Sequence, residues 1–218
     1  LDYLIIPLIN IVFGSLTLQR LIPDVPYAVW AVLIAVLITV MNLRGVKSTA
    51  RVNNILLGAM CVVIGVFVVL SARYLVAKSG WAGLFSLKPF YDPATFKWSA
   101  IGTATSLAAL TYIGFDGVTT LSEEVKDPKR SVPIATVLVC VLTGLFSVVE
   151  VYLGQMVWPD YTTFANLETA FMDVTRVVGG EPLFHAMGVV LIVACIGRGM
   201  TGQAGLSRLL FSMGRDRV

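Results

Sequence analysis

The stretch TYIGFDGVTTLSEEVKDPKR, residues 111–130, begins inside an apolar segment and ends in a run of charge. Between the two, Gly114 and Gly117 bracket Phe115 and Asp116. The fold depends on what such a sequence does where a membrane helix would be unbroken.

The chain around it is of the membrane class. Its 218 residues are 57% hydrophobic and 13% charged, with a mean hydropathy of +0.85. Soluble domains run near 45–50% apolar and about 25% charged. A net charge of +3, scattered along the chain, makes no nucleic-acid surface. Cys61, Cys140 and Cys195 sit in apolar runs without CxxC or metal spacing, so they read as small core residues. No metal or cofactor is expected. No signal peptide is visible, and the chain is expected to be a piece of a longer protein.

A spanning helix needs about 20 mostly apolar residues. Six segments qualify, near 3–22, 27–43, 54–76, 99–121, 133–157 and 183–207, forming a single transmembrane unit over 1–218. Nine cations (Arg44, Lys47, Arg51, Lys126, Lys129, Arg130, Arg208, Arg215, Arg217) fall on one side of these spans. Six (Arg20, Arg73, Lys78, Lys88, Lys97, Arg176) fall on the other. The richer side is read as cytoplasmic, which puts both ends of the chain there. Trp81, Phe85, Phe90, Tyr91 and Trp98 suit an interfacial loop. Gly197, Thr201 and Gly205 recur every four residues, a spacing that lets helices approach closely.

Gly114 and Gly117 each weaken a helix by about 1 kcal/mol against alanine. An aspartate at mid-membrane costs about 2.5–3.5 kcal/mol on insertion scales. Irregular backbone is tolerated in a bilayer only where it is buried in protein or lines a cavity. A discontinuous helix would recover those costs by exposing free backbone groups at Thr111, Tyr112, Ile113 and Gly114, with carbonyls able to hold an ammonium or a cation. The other reading is a continuous helix, with glycines for packing and Asp116 bonded to a neighbour. Both fit the pattern.

Residues 111–135, TYIGFDGVTTLSEEVKDPKRSVPIA, resemble the sixth transmembrane helix of the amino acid–polyamine–organocation superfamily of permeases. NLRGVKSTARVNN (42–54) is similar to the loop between helices four and five of that family, and GQAGLSRLLFSMGRDRV (202–218) to the end of its helix eight. The resemblance implies an all-α membrane protein with a partial leucine-transporter-like inverted-repeat fold, six transmembrane helices (three to eight) of an expected twelve. It implies secondary transport of amino acids, coupled to protons, in a bacterial inner (plasma) membrane. The partners it implies are a small amine-bearing substrate, protons, the lipid bilayer and the missing helices of the same parent protein. The first helix of the family, which grips the substrate carboxylate, has no counterpart here, so this piece alone is not expected to transport.

By the same resemblance Thr111, Tyr112, Ile113 and Gly114 match the unwound substrate-binding segment. Phe115 matches a gating aromatic, Asp116 a coupling acid, and Gly117 the start of the second half-helix. Glu123, Glu124, Lys126 and Arg130 fall at the cytoplasmic mouth, either as an inner-gate ion network or as a solvated loop. Two departures stand out. Met60 occupies the place where some relatives carry a lysine in a former sodium site. Arg198, in CIGRGMTGQ (195–203), stands with Cys195 where small or hydroxyl residues are usual.

An intramembrane arginine points to function by default. At 1.5 Å rise per residue, Arg198 lies about 22 Å from the outer end of its span, Asp116 about 26 Å and Glu150 about 10 Å. Arg198 is therefore expected to pair with Asp116, or to sit as a fixed cation at the vacated ion site. The plain alternative is snorkelling to the inner interface. Glu150 reads as packing, and His185 as a wetted interface residue.

Enzyme motifs such as HExxH and Gly-x-Ser-x-Gly are absent, and the chain holds one histidine. A non-transporting scaffold or truncated product is the rival of another class. Within transport, the loops lean toward the putrescine-importer branch, but a dication would want more acid than Asp116 supplies. A general amino acid permease is placed first.

Overall fold

The computed structural model describes residues 2–44, 50–91, 93, 96–109, 112 and 127–216. Six α-helices carry them: α1 Asp2–Leu21, α2 Tyr27–Leu43, α3 Ala50–Ser79, α4 Trp98–Ala109, α5 Pro128–Val157 and α6 Ala170–Asp216. The chain is an all-α membrane protein. Segments within α1, α3, α5 and α6 are long and apolar enough to cross a bilayer. The 17 residues of α2 sit at the lower limit of what spans. Exposed valines and leucines run along α2 (Val29, Val32, Leu33, Val36) and α5 (Val137, Val141, Leu145, Val148), surface that lipid accepts and water does not.

Four expected spans coincide with α1, α2, α3 and α5, and α5 begins earlier, at Pro128. Asp127 stands at the N-cap position without a side-chain capping bond, and Pro128 takes the first helical position, where its missing N–H costs nothing. The fourth expected span, 99–121, is helical as far as Ala109 in α4, and all of the remainder except Tyr112 lies outside the described residues. The segment between α5 and the last expected span, read from sequence as a loop, contains a helical arm at 170–179. Gly180, at φ +66°, turns the chain from this arm into 181–216. Only glycine adopts that angle cheaply.

Two compact units divide the chain. The first takes residues 1–71 and 160–218; the second takes 72–159. In the first, α1, α2 and α6 pack on one another. Their seam is made of missing side chains. A Cβ on Gly202 would stand 2.8 Å from Ile6 Cγ2 and 3.1 Å from Pro7 Cδ. On Gly199 it would meet Ile38 Cδ1 at 2.6 Å, on Gly188 the Leu21 methyls at 2.9 Å, and on Gly14 Ile34 Cδ1 at 3.0 Å. Ile34 and Ile38 are each 1% exposed, so α2 wedges into the line where α1 meets α6. At about 100° per residue, Gly188, Cys195, Gly199 and Gly202 fall within about 60° of one α6 face. Gly197 and Thr201 are exposed, and among the described residues a Cβ on Gly197 would touch nothing within 4 Å. The close packing expected of Gly197 and Thr201 is carried by this neighbouring face instead.

Several hydroxyls inside the helices bond the carbonyl of the preceding turn, which spares them a partner from lipid. Ser15 donates to Ile11 O at 2.6 Å and Thr17 to Phe13 O at 2.8 Å. In the second unit the chain after α3 folds onto the end of α5. The Tyr152 hydroxyl accepts from Ser86 N at 3.0 Å and donates to Leu84 O at 2.7 Å, while Phe90 stacks on its ring. Trp81, Phe85 and Trp98 of this connection are exposed.

The seam ranks its own mutations. At Gly199 the obstacle is the tip of a flexible side chain; at Gly202 it is a β-branched carbon and a proline ring beside the backbone. Gly202→Ala should cost about 1–3 kcal/mol by overpacking, and Gly199→Ala less. Thermal unfolding of the detergent-solubilised protein measures both, and equal melting temperatures would contradict the ranking.

Candidate functional site

The segment expected to bind substrate follows α4, whose Thr103, Thr105 and Ser106 each donate to the carbonyl four residues back. Of that segment Tyr112 is described. Thr111, Ile113, Gly114, Phe115, Asp116 and Gly117 lie outside the described residues, as do Glu123, Glu124 and Lys126 of the expected inner gate. Arg130, the remaining gate residue, is exposed in the first turn of α5.

Tyr112 is 37% exposed and rests against α5. It lines an apolar hollow with Cys140, Val141, Gly144, Leu145 and Val148. A Cβ on Gly144 would stand 2.5 Å from the Tyr112 hydroxyl oxygen. Glycine inside a helix costs about 1 kcal/mol against alanine, and at this position it leaves room for that oxygen.

Cys195 and Arg198 take different places on α6. Cys195 is half-buried in the seam, its Cβ 3.4 Å from a Cβ built on Gly14. Arg198 is exposed, about 60° round the helix from Cys195, between the buried seam and the open face of Thr201. Its expected partner Asp116 lies outside the described residues. Glu150 is half-buried on α5, and the His185 side chain is 58% exposed.

Two polar clusters went unnoticed in the sequence. Near one end of α6, Asp173, whose side chain is 11% exposed, accepts from Arg20 Nη2 of α1 at 2.6 Å. Arg176 pairs with Glu181 at 2.8 Å across the Gly180 turn and lies 3.8 Å over the Phe184 ring. His185 Nδ1 donates to Glu181 O at 2.8 Å. Further along, Asn42 of α2 donates to Gln203 Oε1 at 2.6 Å and to Met200 O at 3.2 Å. Gln203 reaches back to Thr39 at 3.4 Å. Amides within MNL and TGQ were the available signal for the second cluster; nothing local marks Arg20 and Asp173 as partners. Among the described residues no group of three or more His, Cys, Asp or Glu is placed to hold a metal.

A family model described as amino acid permease matches residues 2–218. The low-affinity putrescine importer PlaP of Escherichia coli (strain K12) is 30% identical over 218 residues, covering 100% of this chain and 48% of PlaP. The vacuolar cationic amino acid transporter 4 of Arabidopsis thaliana is 33% identical over 148 residues, 66% of this chain and 24% of the relative. The branched-chain amino acid permease BcaP of Bacillus subtilis (strain 168) is 28% identical over 192 residues, 85% of this chain and 38% of BcaP. The chain thus spans about half the length of PlaP and less of the other two. No solved structure gives a significant match.

The Arg20–Asp173 bond is the sharpest tie between α1 and the 170–179 arm. Asp173→Asn should cost about 1.5 kcal/mol, the low end for a charged hydrogen bond, because Arg20 is a third exposed. In an Arg20→Gln background the further loss should be smaller. Thermal unfolding of the detergent-solubilised protein reads the difference, and equal losses in both backgrounds would contradict the tie.

Proposed function

Because the chain belongs to the amino acid permease family, we propose that its parent protein is a secondary transporter of a small amine-bearing substrate. The match of the family model to residues 2–218 carries this reading. Relatives over this length are named as transporters of amino acids and of putrescine. We place an amino acid first. Putrescine is the second reading, favoured by the alignment with PlaP across the whole of this chain. The protein is an integral membrane protein, and the Escherichia coli relative supports a bacterial inner membrane.

In this proposal the substrate ammonium binds carbonyls at Thr111, Tyr112, Ile113 and Gly114, where a break in the helix leaves them without intrahelical partners. Phe115 covers the bound substrate, and Gly117 opens the second half-helix. Asp116 and Arg198 form a coupling pair beside Cys195, with protons as the coupling ion. Glu123, Glu124, Lys126 and Arg130 close the cytoplasmic mouth as ion pairs, each worth about 0–1 kcal/mol where water reaches them. The missing helices of the parent supply the rest of the site, the grip on a substrate carboxylate included.

Competition uptake tests the substrate class. The full-length parent in proteoliposomes with an inward proton gradient is challenged with alanine, glutamate, arginine and putrescine. Alanine should compete best. If putrescine wins, Asp116 binds an ammonium and the Asp116–Arg198 pair is abandoned. Arg198→Ser tests coupling: its uptake should lose the wild-type pH dependence, and an unchanged rate and pH profile would remove Arg198 from the mechanism.

A further inference from the structure

We infer that Gly144 of α5 is a positioning residue for the substrate segment: its missing side chain is the space that the Tyr112 hydroxyl occupies. The inference rests on the proposed role of Tyr112 and names what holds that residue in place. A Cβ at Gly144 would come within 2.5 Å of the hydroxyl oxygen and 3.7 Å of Cζ, the ring carbon that bears it, and among the described residues within 4 Å of nothing else outside α5. Among the described residues, the space meets one partner.

The second glycine of α5 makes the contrast. Among the described residues, a Cβ on Gly154 would meet nothing within 4 Å. No described neighbour demands glycine at 154; Tyr112 demands it at 144. Cys140, Gly144 and Val148 recur every four residues along one α5 face, and among the described residues the hollow over that face takes Tyr112 from another segment. Cys140 and Val148 stand one turn to either side of the gap. Val148 is stiff at χ1, so it yields poorly to a displaced ring.

A tyrosine ring is rigid and turns about two torsions only. When its tip is displaced, the ring must rotate out of the hollow or its backbone must shift. Tyr112 carries one of the carbonyls proposed to bind the ammonium, so a shift there alters substrate affinity before it alters turnover. Gly144 then tunes specificity without touching the substrate.

Uptake kinetics of the full-length parent in proteoliposomes test this, with labelled alanine, or labelled putrescine if putrescine wins the competition. Gly144→Ala should raise KM at least fivefold while Vmax stays within twofold. Gly154→Ala should change neither. In a Tyr112→Phe background, where the obstructing oxygen is gone, Gly144→Ala should move KM less than twofold. An unchanged KM in Gly144→Ala, or the same increase in both backgrounds, overturns the inference. If Gly144→Ala fails to fold, a folded and active Gly144→Ala/Tyr112→Phe protein supports it, and failure of both variants overturns it. Alkylation of Cys140, followed by peptide mass spectrometry, separates this inference from the reading beneath it. Gly144→Ala should change the labelling rate at least threefold with Tyr112 present and leave it unchanged with Tyr112→Phe. If it does so while Tyr112→Ala leaves KM untouched, the notch stands and the substrate role of Tyr112 falls. If labelling never changes, the notch itself is wrong.

Discussion

The first unit depends on the close approach of α1 to α6, made possible where side chains are absent. Lipid offers no hydrophobic drive between apolar helices, so association rests on contact and on polar bonds. Gly14, Gly188, Gly199 and Gly202 supply the contact, and the buried Ile34 and Ile38 of α2 fill the line between the two helices. Polar fasteners stand at separate levels of the same α6: Arg20 with Asp173 toward its start, and Asn42 with Gln203 some thirty residues later. A glycine seam fastened at two levels fixes where α6 presents Cys195 and Arg198. Any coupling role for those residues inherits that placement.

Much of the architecture was legible because bilayer thickness and charge constrain a sequence strongly. The limits of α1 and α2 match the apolar segments to within a residue or so, since Pro23, Pro26 and Arg44 punctuate them. The packing face of α6 was harder to read. Gly197, Thr201 and Gly205 form a clean four-residue repeat, but such a repeat does not say which way the face looks. The seam uses Gly188, Cys195, Gly199 and Gly202, whose spacings of seven, four and three keep one side of a helix aligned. The 170–179 arm was hidden by its charges, Asp173 and Arg176, which read as a loop until their partners are seen to lie on Arg20 and Glu181.

The site was legible as a segment and not as a surrounding. Composition singles out Tyr112 and its neighbours, and the family resemblance gives them a role. What holds Tyr112 lies some thirty residues further along, in a helix whose own pattern marks Gly144 as nothing unusual. The Tyr152 clasp on Leu84 and Ser86 is a similar case: an ordinary interfacial tyrosine in sequence, a fastening point in structure. Contacts between distant segments arise from packing, and packing is what a linear pattern omits.

The central proposal is that an amine-bearing substrate occupies the segment around Tyr112. Substrate protection of a reporter thiol tests it most directly. Tyr112→Cys in the full-length parent, labelled with a maleimide in membranes, should react more slowly when the transported amine is present and recover when it is washed away. A reaction rate indifferent to saturating amine, in a protein that still takes the amine up, would contradict the account.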